Sequence, residues 1–279
     1  MKKIWLWIRI CRPQTLFASL CPVLVGLMVG GVTNNLIAIL TVICALALQI
    51  LANLINDYYD YRRGSDKAGR VGFKRALAEG EVTERQMIYA IGICLAAVVI
   101  TGLALVWHGN WPILLIGLSA ILFAWLYTAT NKSLSYLGIA DIFVWLYYGV
   151  IATMGTIFLQ TGEWHGFWAG SCCGLISMCV LIINNLRDYE DDKRAGKKTF
   201  PVRFGMTAGR IGMLLIIIMC VPACAYMAFG LNWPMLVVIP LGILFVTVCR
   251  AQGKQYNPCL LGAGLCNVIF TVLVALFLL

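Results

Sequence analysis

Two short acidic stretches of this chain carry the same arrangement of carboxylate and carboxamide side chains. The first has the sequence Asn-Asp-Tyr-Tyr-Asp-Tyr over residues 56–61, and the second has Asn-Asn-Leu-Arg-Asp-Tyr over residues 184–189. Residues four apart share one face of a helix. Asn56 with Asp60, and Asn184 with Asp188, therefore each present a carboxamide and a carboxylate in one direction, and Asp188 repeats this relation with Asp192.

Clusters of hard oxygen ligands such as these suit Mg²⁺, which binds through a few carboxylates together with water and ligand phosphates. Basic residues are interspersed among the acidic ones and would complement the phosphate oxygens that a metal leaves uncovered. These basic residues are Lys67, Arg70, Arg75, Lys193 and Lys197. The combined pattern predicts a metal–diphosphate site.

Two alternative roles for the acidic stretches compete with a metal–diphosphate site. A solvated charged loop that only enforces membrane topology could account for one acidic stretch, but two matching copies with retained asparagines disfavour it. A cation pathway in a transporter would place carboxylates near mid-membrane on interrupted helices. The centres of the predicted spans contain no Asp, Glu, Lys or Arg, so transport is the second hypothesis.

The elements that must position these residues are membrane-spanning helices. Of the 279 residues, 61% are hydrophobic and 12% are charged, whereas a soluble domain carries about 25% charged residues. This composition excludes a disordered chain, a nucleic-acid-binding domain and a small secreted scaffold. Most of the cysteines lie inside apolar runs, where they act as small buried hydrophobes.

A spanning helix needs about 20 apolar residues. The sequence predicts an all-α polytopic membrane protein whose nine transmembrane helices surround a central cavity. The predicted spans cover residues 15–33, 36–55, 87–107, 112–128, 138–159, 165–185, 210–229, 233–249 and 260–279.

The positive charges predict the orientation of the chain in the membrane. All 21 Lys and Arg residues fall before the first span or in alternate connections, and the opposite connections contain none. By the positive-inside rule the basic side is cytoplasmic, with the N-terminus inside and the C-terminus outside. The two acidic stretches lie on this same side.

The matching stretches also indicate an internal duplication. After a two-residue insertion is allowed, Asp66-Lys67 in the first copy matches Asp192-Lys193 in the second. We expect one domain over residues 1–279, with repeat halves at about 10–135 and 136–255 and a final helix at 260–279. Equivalent helix ends would then face each other across a shared cavity.

At these residues the chain resembles the UbiA-type membrane prenyltransferases. The resemblance rests on their paired aspartate motifs, found here as Asn56-Asp57-Tyr58-Tyr59-Asp60 with Gly64-Ser65-Asp66, and as Asp188-x-x-x-Asp192. Finer details are similar to the branch that acts on 1,4-dihydroxy-2-naphthoate. They are Arg12-Pro13-Gln14-Thr15, Asn184-Asn185-Leu186-Arg187-Asp188 and Ala195-Gly196-Lys197-Lys198-Thr199.

This resemblance implies Mg²⁺-dependent transfer of a polyprenyl group from its diphosphate to 1,4-dihydroxy-2-naphthoate. The products would be demethylmenaquinone, CO₂ and diphosphate, on the cytoplasmic side of a bacterial inner membrane. Another aromatic acceptor is an alternative. The partners would be the polyprenyl diphosphate, the aromatic acceptor and the lipid bilayer, with no nucleic acid.

The resemblance also implies roles for individual residues. Two Mg²⁺ ions would be held by Asn56, Asp57, Asp60, Asp66, Asn184, Asp188 and Asp192. Within that set the catalytic carboxylates would be Asp60, Asp188 and Asp192. Substrate contacts are expected from Arg12, Asn53, Lys67, Arg70, Arg75, Lys132, Asp141, Lys193 and Lys197. Arg12 is a candidate partner for the acceptor carboxylate, and Asp141 is one for an acceptor hydroxyl.

Overall fold

The computed structural model describes residues 2–64, 75–127, 138–228 and 233–279. In this part of the chain every regular element is a helix. The α-helices are α1 (Lys2–Ile10), α2 (Pro13–Gly30), α3 (Asn35–Arg62), α4 (Glu84–Leu126), α5 (Ala140–Thr161), α6 (Phe167–Arg187), α7 (Tyr189–Arg194), α8 (Phe200–Phe204), α9 (Met206–Ala228), α10 (Val238–Arg250) and α11 (Tyr256–Leu278). Short 3₁₀ turns at Trp233–Val237 and Gly253–Gln255 precede α10 and α11.

The all-α membrane architecture predicted from hydropathy is confirmed, and the nine predicted spans are close to the number of helices observed. Among the described residues, eight helices are long and apolar enough to cross a membrane. The spans predicted at 87–107 and 112–128 correspond to the two limbs of α4, which break at Asn110. Glu84 at the start of α4 pairs with Arg62, and Trp125 in its last turn packs on Tyr59. Both ends of α4 therefore lie beside the end of α3, and the two limbs run in opposite directions.

Helix α4 is interrupted between its two limbs. Asn110 has φ 59° and ψ −157°, a conformation almost confined to glycine. Pro112 follows two residues later and has no backbone N–H to continue the hydrogen-bond ladder. The break lies at the polar sequence His108-Gly109-Asn110, which hydropathy predicts to be an outer loop. The connection predicted there is therefore a tight reversal of the chain inside α4.

Helix α6 lies at the centre of the bundle. Most of its residues are buried, and the main apolar cluster joins it to α2, α9, α10 and α11. Buried cysteines contribute to this cluster, and since every cysteine lies in the described part of the chain, none of them forms a disulfide. The interpretation of these residues as small hydrophobes is confirmed.

Glycines allow α5 and α6 to pack closely. A Cβ at Gly149 would overlap the carbonyl oxygen of Gly170, and one at Gly174 would overlap the carbonyl oxygen of Trp145. Small residues four apart let the backbones of membrane helices approach each other. Within α5, residues Leu146–Val150 form a π turn, which widens the helix at the point where it meets α6.

A Gly→Ala change inside the contact between α5 and α6 should affect thermal stability differently from one outside it. Alanine favours a helix by about 1 kcal/mol over glycine, so Gly92→Ala, where a Cβ meets open space, should leave the melting temperature unchanged or raise it. Gly174→Ala would force the backbones of α5 and α6 apart. It should lower the melting temperature by several degrees, since overpacking costs about 1–3 kcal/mol. Thermal unfolding in detergent measures both, and equal behaviour of the two variants would contradict the prediction.

Candidate active site

A cavity of about 540 Å³ opens between α2, α3, α4, α5 and α6. One end is polar and contains side chains from both acidic stretches, whereas the remainder is lined by aliphatic and aromatic residues. The polar residues of predicted function that line it are Arg12, Asn53, Asn56, Asp60, Arg75, Asn184, Asp188, Asp192 and Lys197. The structure therefore brings most of the predicted site residues together.

The two acidic stretches meet at Lys197. Its ammonium lies 3.6 Å from Oδ2 of Asp60, in the last turn of α3, and 3.4 Å from Oδ1 of Asp192, in α7. Both carboxylates are buried. The other oxygen of Asp60, Oδ1, is also buried and has no hydrogen-bond partner within the described ranges. This side of the cavity thus holds a carboxylate oxygen that is available to a ligand.

Helix α3 places Asp60 there by continuing past its predicted end. The predicted span ends at residue 55, but α3 runs to Arg62, so the whole motif from Asn56 to Asp60 is helical. In the second copy α6 ends at Arg187, and backbone hydrogen bonds from Asp188 to Asn184 and from Asp192 to Asp188 maintain the helical spacing. The predicted i, i+4 relation is present in both copies.

Arg187 organises the second stretch. Its Nε and Nη2 donate to the two carboxylate oxygens of Asp188, each at 2.7 Å, and Nη2 also donates to Oδ1 of Asn184 at 2.6 Å. Nη1 reaches Oδ1 of Asn257 in α11 at 3.3 Å. Arg187 is not among the predicted site residues, although its place between the matched Asn and Asp could have indicated it. A bidentate pair of this kind fixes both partners.

Asp57 has a different environment from the other three carboxylates. It is buried and accepts from Arg12 and from Nη1 of Arg75, the latter at 2.8 Å. Asp57 itself does not line the cavity, but both arginines do. This carboxylate therefore positions two cations at the polar end of the cavity. Its role as a metal ligand stays a prediction.

Asn53 ties the start of α2 to α3. Its Nδ2 donates to Oγ1 of Thr15 at 2.9 Å and to the carbonyl of Cys11 at 3.3 Å, and its Oδ1 accepts from Gln49 at 3.4 Å. Gln49 and Thr15 also line the cavity and are not among the predicted site residues. Oε1 of Gln49 is buried without a hydrogen-bond partner in the ranges described, so its capacity to accept a hydrogen bond is unused there.

Besides Asp57, two described residues of the predicted set do not line the cavity. Lys193 is exposed, with its ammonium 5.9 Å from the ring centroid of Tyr189. Asp141 is in the first turn of α5, and its buried Oδ1 has no hydrogen-bond partner among the described residues. Asp66, Lys67, Arg70 and Lys132 lie outside the described residues.

An aromatic group lines the cavity beyond the charges. Phe123 of α4 packs against Phe143 and Tyr147 of α5, with ring centroids 4.4 and 5.0 Å apart, and the π turn carries both Tyr147 and Tyr148. Tyr127 follows α4 and faces the same space. Burial raises the pKa of the Tyr127 phenol, and nearby tyrosine and aspartate side chains raise it further. A phenol carries its proton at neutral pH, and this upward shift of the pKa keeps Tyr127 a hydrogen-bond donor at higher pH as well.

The donor set at the polar end fits a hard divalent cation. Carboxylate oxygens of Asp60 and Asp192 and amide oxygens of Asn56 and Asn184 line one cavity, and oxygen ligands of these types suit Mg²⁺. The unpartnered Oδ1 of Asp60 is the observation that favours such a ligand. Among the residues described, no three His, Cys, Asp or Glu side chains are close enough to form a metal cluster by themselves.

The chain is similar to known membrane enzymes along its whole length. It is 30% identical over 301 aligned residues to the 1,4-dihydroxy-2-naphthoate octaprenyltransferase of Haemophilus influenzae, with 100% of this chain and 97% of that protein covered. It is 32% identical over 291 residues to the protein of the same name from Escherichia coli, covering 95% of this chain and 94% of that protein.

Solved structures share the fold. A UbiA homologue from Archaeoglobus fulgidus bound to DMAPP and Mg²⁺ has a TM-score of 0.73 at 20% identity, with 98% of each chain covered. The same homologue bound to GPP and Mg²⁺ has a TM-score of 0.71 at 22% identity. The sequence of this protein matches the UbiA prenyltransferase family over residues 19–277. Because that match runs from α2 into α11, it includes all the helices around the cavity, and the chain belongs to the UbiA prenyltransferase family of membrane enzymes.

Proposed function

We propose that this enzyme transfers a polyprenyl group from polyprenyl diphosphate to 1,4-dihydroxy-2-naphthoate, a step of menaquinone synthesis. The observation that carries the proposal is the meeting of both acidic stretches at the polar end of a long apolar cavity. The names of relatives at 30–32% identity over nearly the full chain support the choice of acceptor.

The diphosphate would bind at the polar end. Mg²⁺ would be held there by Asp60, Asp192, Asn56 and Asn184, with Asp66, Asp188 and Asp57 as the further predicted ligands. When bound, the ion would neutralise negative charge on the leaving diphosphate. Lys197, Arg12 and Arg75 line the same end and would donate to phosphate oxygens. The cations of the chain thereby favour departure of the anionic leaving group.

The apolar part of the cavity would hold the isoprenyl chain and protect the allylic cation that forms as the C–O bond breaks. Phe123, Phe143, Tyr147 and Tyr148 line this region. Their side chains exclude water, and aromatic faces attract a cation. Positive charge developing on the carbon would therefore lie beside aromatic rings. Negative charge developing on the leaving oxygen would lie beside basic side chains.

The electron-rich ring of the naphthoate would then form the new C–C bond at its carboxylate-bearing carbon, and CO₂ would leave with its bonding pair returned to the ring. No electrons leave the system, so the immediate product is the quinol form of demethylmenaquinone. Arg12 or Arg75 would pair with the acceptor carboxylate before its loss. Tyr127 lines the cavity, and its protonated phenol is suited to donate to an acceptor oxygen.

The apolar part of the cavity reaches the outer face of α4. Leu103 and Leu118 line the cavity and are also 59% and 57% exposed. Gly102 and Gly117 lie beside them, and a Cβ at either would meet open space. In a membrane this face borders hydrocarbon. The end of a long isoprenyl chain would extend into lipid between these residues.

The proposed placement has the polar end of the cavity at the cytoplasmic face of a bacterial inner membrane. It is supported by the distribution of the 21 basic residues and by the positive-inside rule. The proposed organisation is one transmembrane domain built from two repeats. The matching spacing of Asn56 with Asp60 and of Asn184 with Asp188 supports that duplication.

The function is tested with purified protein in vesicles. We expect a prenylated naphthoquinol, and release of CO₂ and diphosphate, from octaprenyl diphosphate, 1,4-dihydroxy-2-naphthoate and Mg²⁺, as measured by mass spectrometry of the extracted lipid. A parallel reaction with 4-hydroxybenzoate identifies the acceptor class. Product from hydroxybenzoate alone would overturn the naphthoate assignment, and diphosphate release without any prenylated product would overturn the transfer.

Asp60→Asn tests a carboxylate that lines the cavity and has an unpartnered Oδ1. Loss of this charge should lower the rate of prenyl transfer at least about 100-fold, the size of effect seen when a group stabilising a leaving charge is removed. Glu163→Gln is the control, because Glu163 is exposed and outside the cavity. Thermal unfolding measures whether both variants fold. Near-normal transfer by folded Asp60→Asn would contradict the proposed metal–diphosphate site.

Gly117→Phe tests the exit of the isoprenyl chain. A phenylalanine side chain would narrow the opening at α4, so the ratio of geranyl to octaprenyl transfer should rise at least several-fold. Gly92→Phe is the matched control, since Gly92 also lies on α4 with open space around its Cβ but does not line the cavity. A competition assay with both diphosphates measures the ratio. An equal ratio in wild type and Gly117→Phe would contradict an exit of the isoprenyl chain at this opening in α4.

A further inference from the structure

Helix α1 lies outside the set of spanning helices. It has nine residues and is about 13 Å long, far short of the roughly 30 Å of a hydrocarbon core. Leu6, Trp7 and Ile10 on its inner side pack in a cluster with Leu77 and Val82, from the connection that follows the first acidic stretch. The inner side of α1 is therefore packed against the rest of the protein.

The outer side of α1 has no such partner among the described residues. Ile4, Trp5 and Ile8 are 66%, 69% and 42% exposed. The helix also carries Lys2, Lys3 and Arg9 and no acidic residue. Exposed tryptophan and isoleucine beside basic residues are typical of a helix that lies in the headgroup region of a bilayer, with its apolar side toward the acyl chains.

A groove continues from this surface to the start of α2. It is lined by Ile4, Trp7, Ile8, Cys11, Pro13 and Leu16, and its walls are almost entirely apolar. Burial raises the pKa of the Cys11 thiol, so that side chain is neutral and adds no charge. On α1 itself, Arg9 pairs with Glu81. A lipid acyl chain fits such a groove, and the basic residues of α1 favour an anionic headgroup.

We propose that α1 and this groove bind an anionic phospholipid. One acyl chain lies along the groove and the headgroup phosphate lies on the side of α1 where Arg9 is exposed. The charge of the cytoplasmic leaflet supplies such lipids at the face where the basic residues of this chain are concentrated.

The bound lipid would also position Arg12. This residue follows α1 with φ 52°, a left-handed conformation that is costly outside glycine. Its guanidinium contacts Asp57 and lines the cavity. A lipid that holds α1 against α2 therefore holds Arg12 in place. This step rests on the proposed function, in which Arg12 contacts a substrate.

Lipid binding is measured on the full chain, without any assay of activity. Protein is reconstituted with equal amounts of phosphatidylglycerol and phosphatidylcholine, extracted in mild detergent, and examined by native mass spectrometry. We expect wild type to retain phosphatidylglycerol in several-fold preference. Ile8→Asp and Trp5→Ala should lose that preference. Trp107→Ala, which removes a 91% exposed tryptophan near the break in α4, should keep it, and Ile8→Leu should also keep it.

Two results would overturn this proposal. The first is equal retention of both lipids by wild type. The second is a dimer mass that disappears in Ile8→Asp, which would show that a second copy of the chain covers this surface.

The link to catalysis is measured separately. Prenyl transfer should be several-fold faster in vesicles with phosphatidylglycerol than in phosphatidylcholine alone, and Ile8→Asp should lose the increase while it retains the phosphatidylcholine rate. Equal rates of wild type in both vesicles would overturn the positioning of Arg12 by lipid. If no vesicle supports transfer, the proposed function fails, whereas the lipid-retention result is unaffected.

Discussion

Buried carboxylates impose the main physical constraint on this structure. An unpaired ionised carboxylate in a low-dielectric interior costs several kcal/mol, and this protein buries four at one end of its cavity. Each has a cation within reach: Arg12 and Arg75 for Asp57, Arg187 for Asp188, and Lys197 for both Asp60 and Asp192. These pairs join elements that are far apart in the chain. Removing Arg187 or Lys197 would leave a carboxylate charge that the surrounding helices cannot solvate, so the fold and the site depend on the same contacts.

The pairing also separates the cavity into two chemical environments. Cations and carboxylates occupy one end, whereas aliphatic and aromatic side chains form the remainder. A diphosphate ester of an isoprenoid has the same division, with charge at one end and a long hydrocarbon chain at the other. The bond that breaks would lie at the boundary. There, basic side chains would stabilise the departing oxygen and aromatic rings would stabilise the carbon.

Close packing of α5 on α6 brings the aromatic part of the cavity into place. Gly149, Gly170 and Gly174 permit backbone contact that no larger residue would allow. The π turn in α5 then directs Tyr147 and Tyr148 toward the cavity. A lipid environment gives little hydrophobic driving force between helices, so contacts of this type and buried polar pairs hold the bundle together. The same sites are therefore sensitive to single added methyl groups.

The sequence by itself determined the helical membrane class, the positions of the spans and the two acidic motifs, because apolar length, the spacing of charges and the i, i+4 relation are local properties. It did not determine that two of the predicted spans are joined by a tight backbone reversal at Asn110, because hydropathy does not record backbone angles. Only the tertiary structure decided that Arg187 clamps Asp188, that Lys197 joins the two motifs, and that Asp57 holds arginines beside the cavity. These contacts depend on the relative placement of helices distant in the chain, and the pairing of buried charges is fixed only when those helices pack.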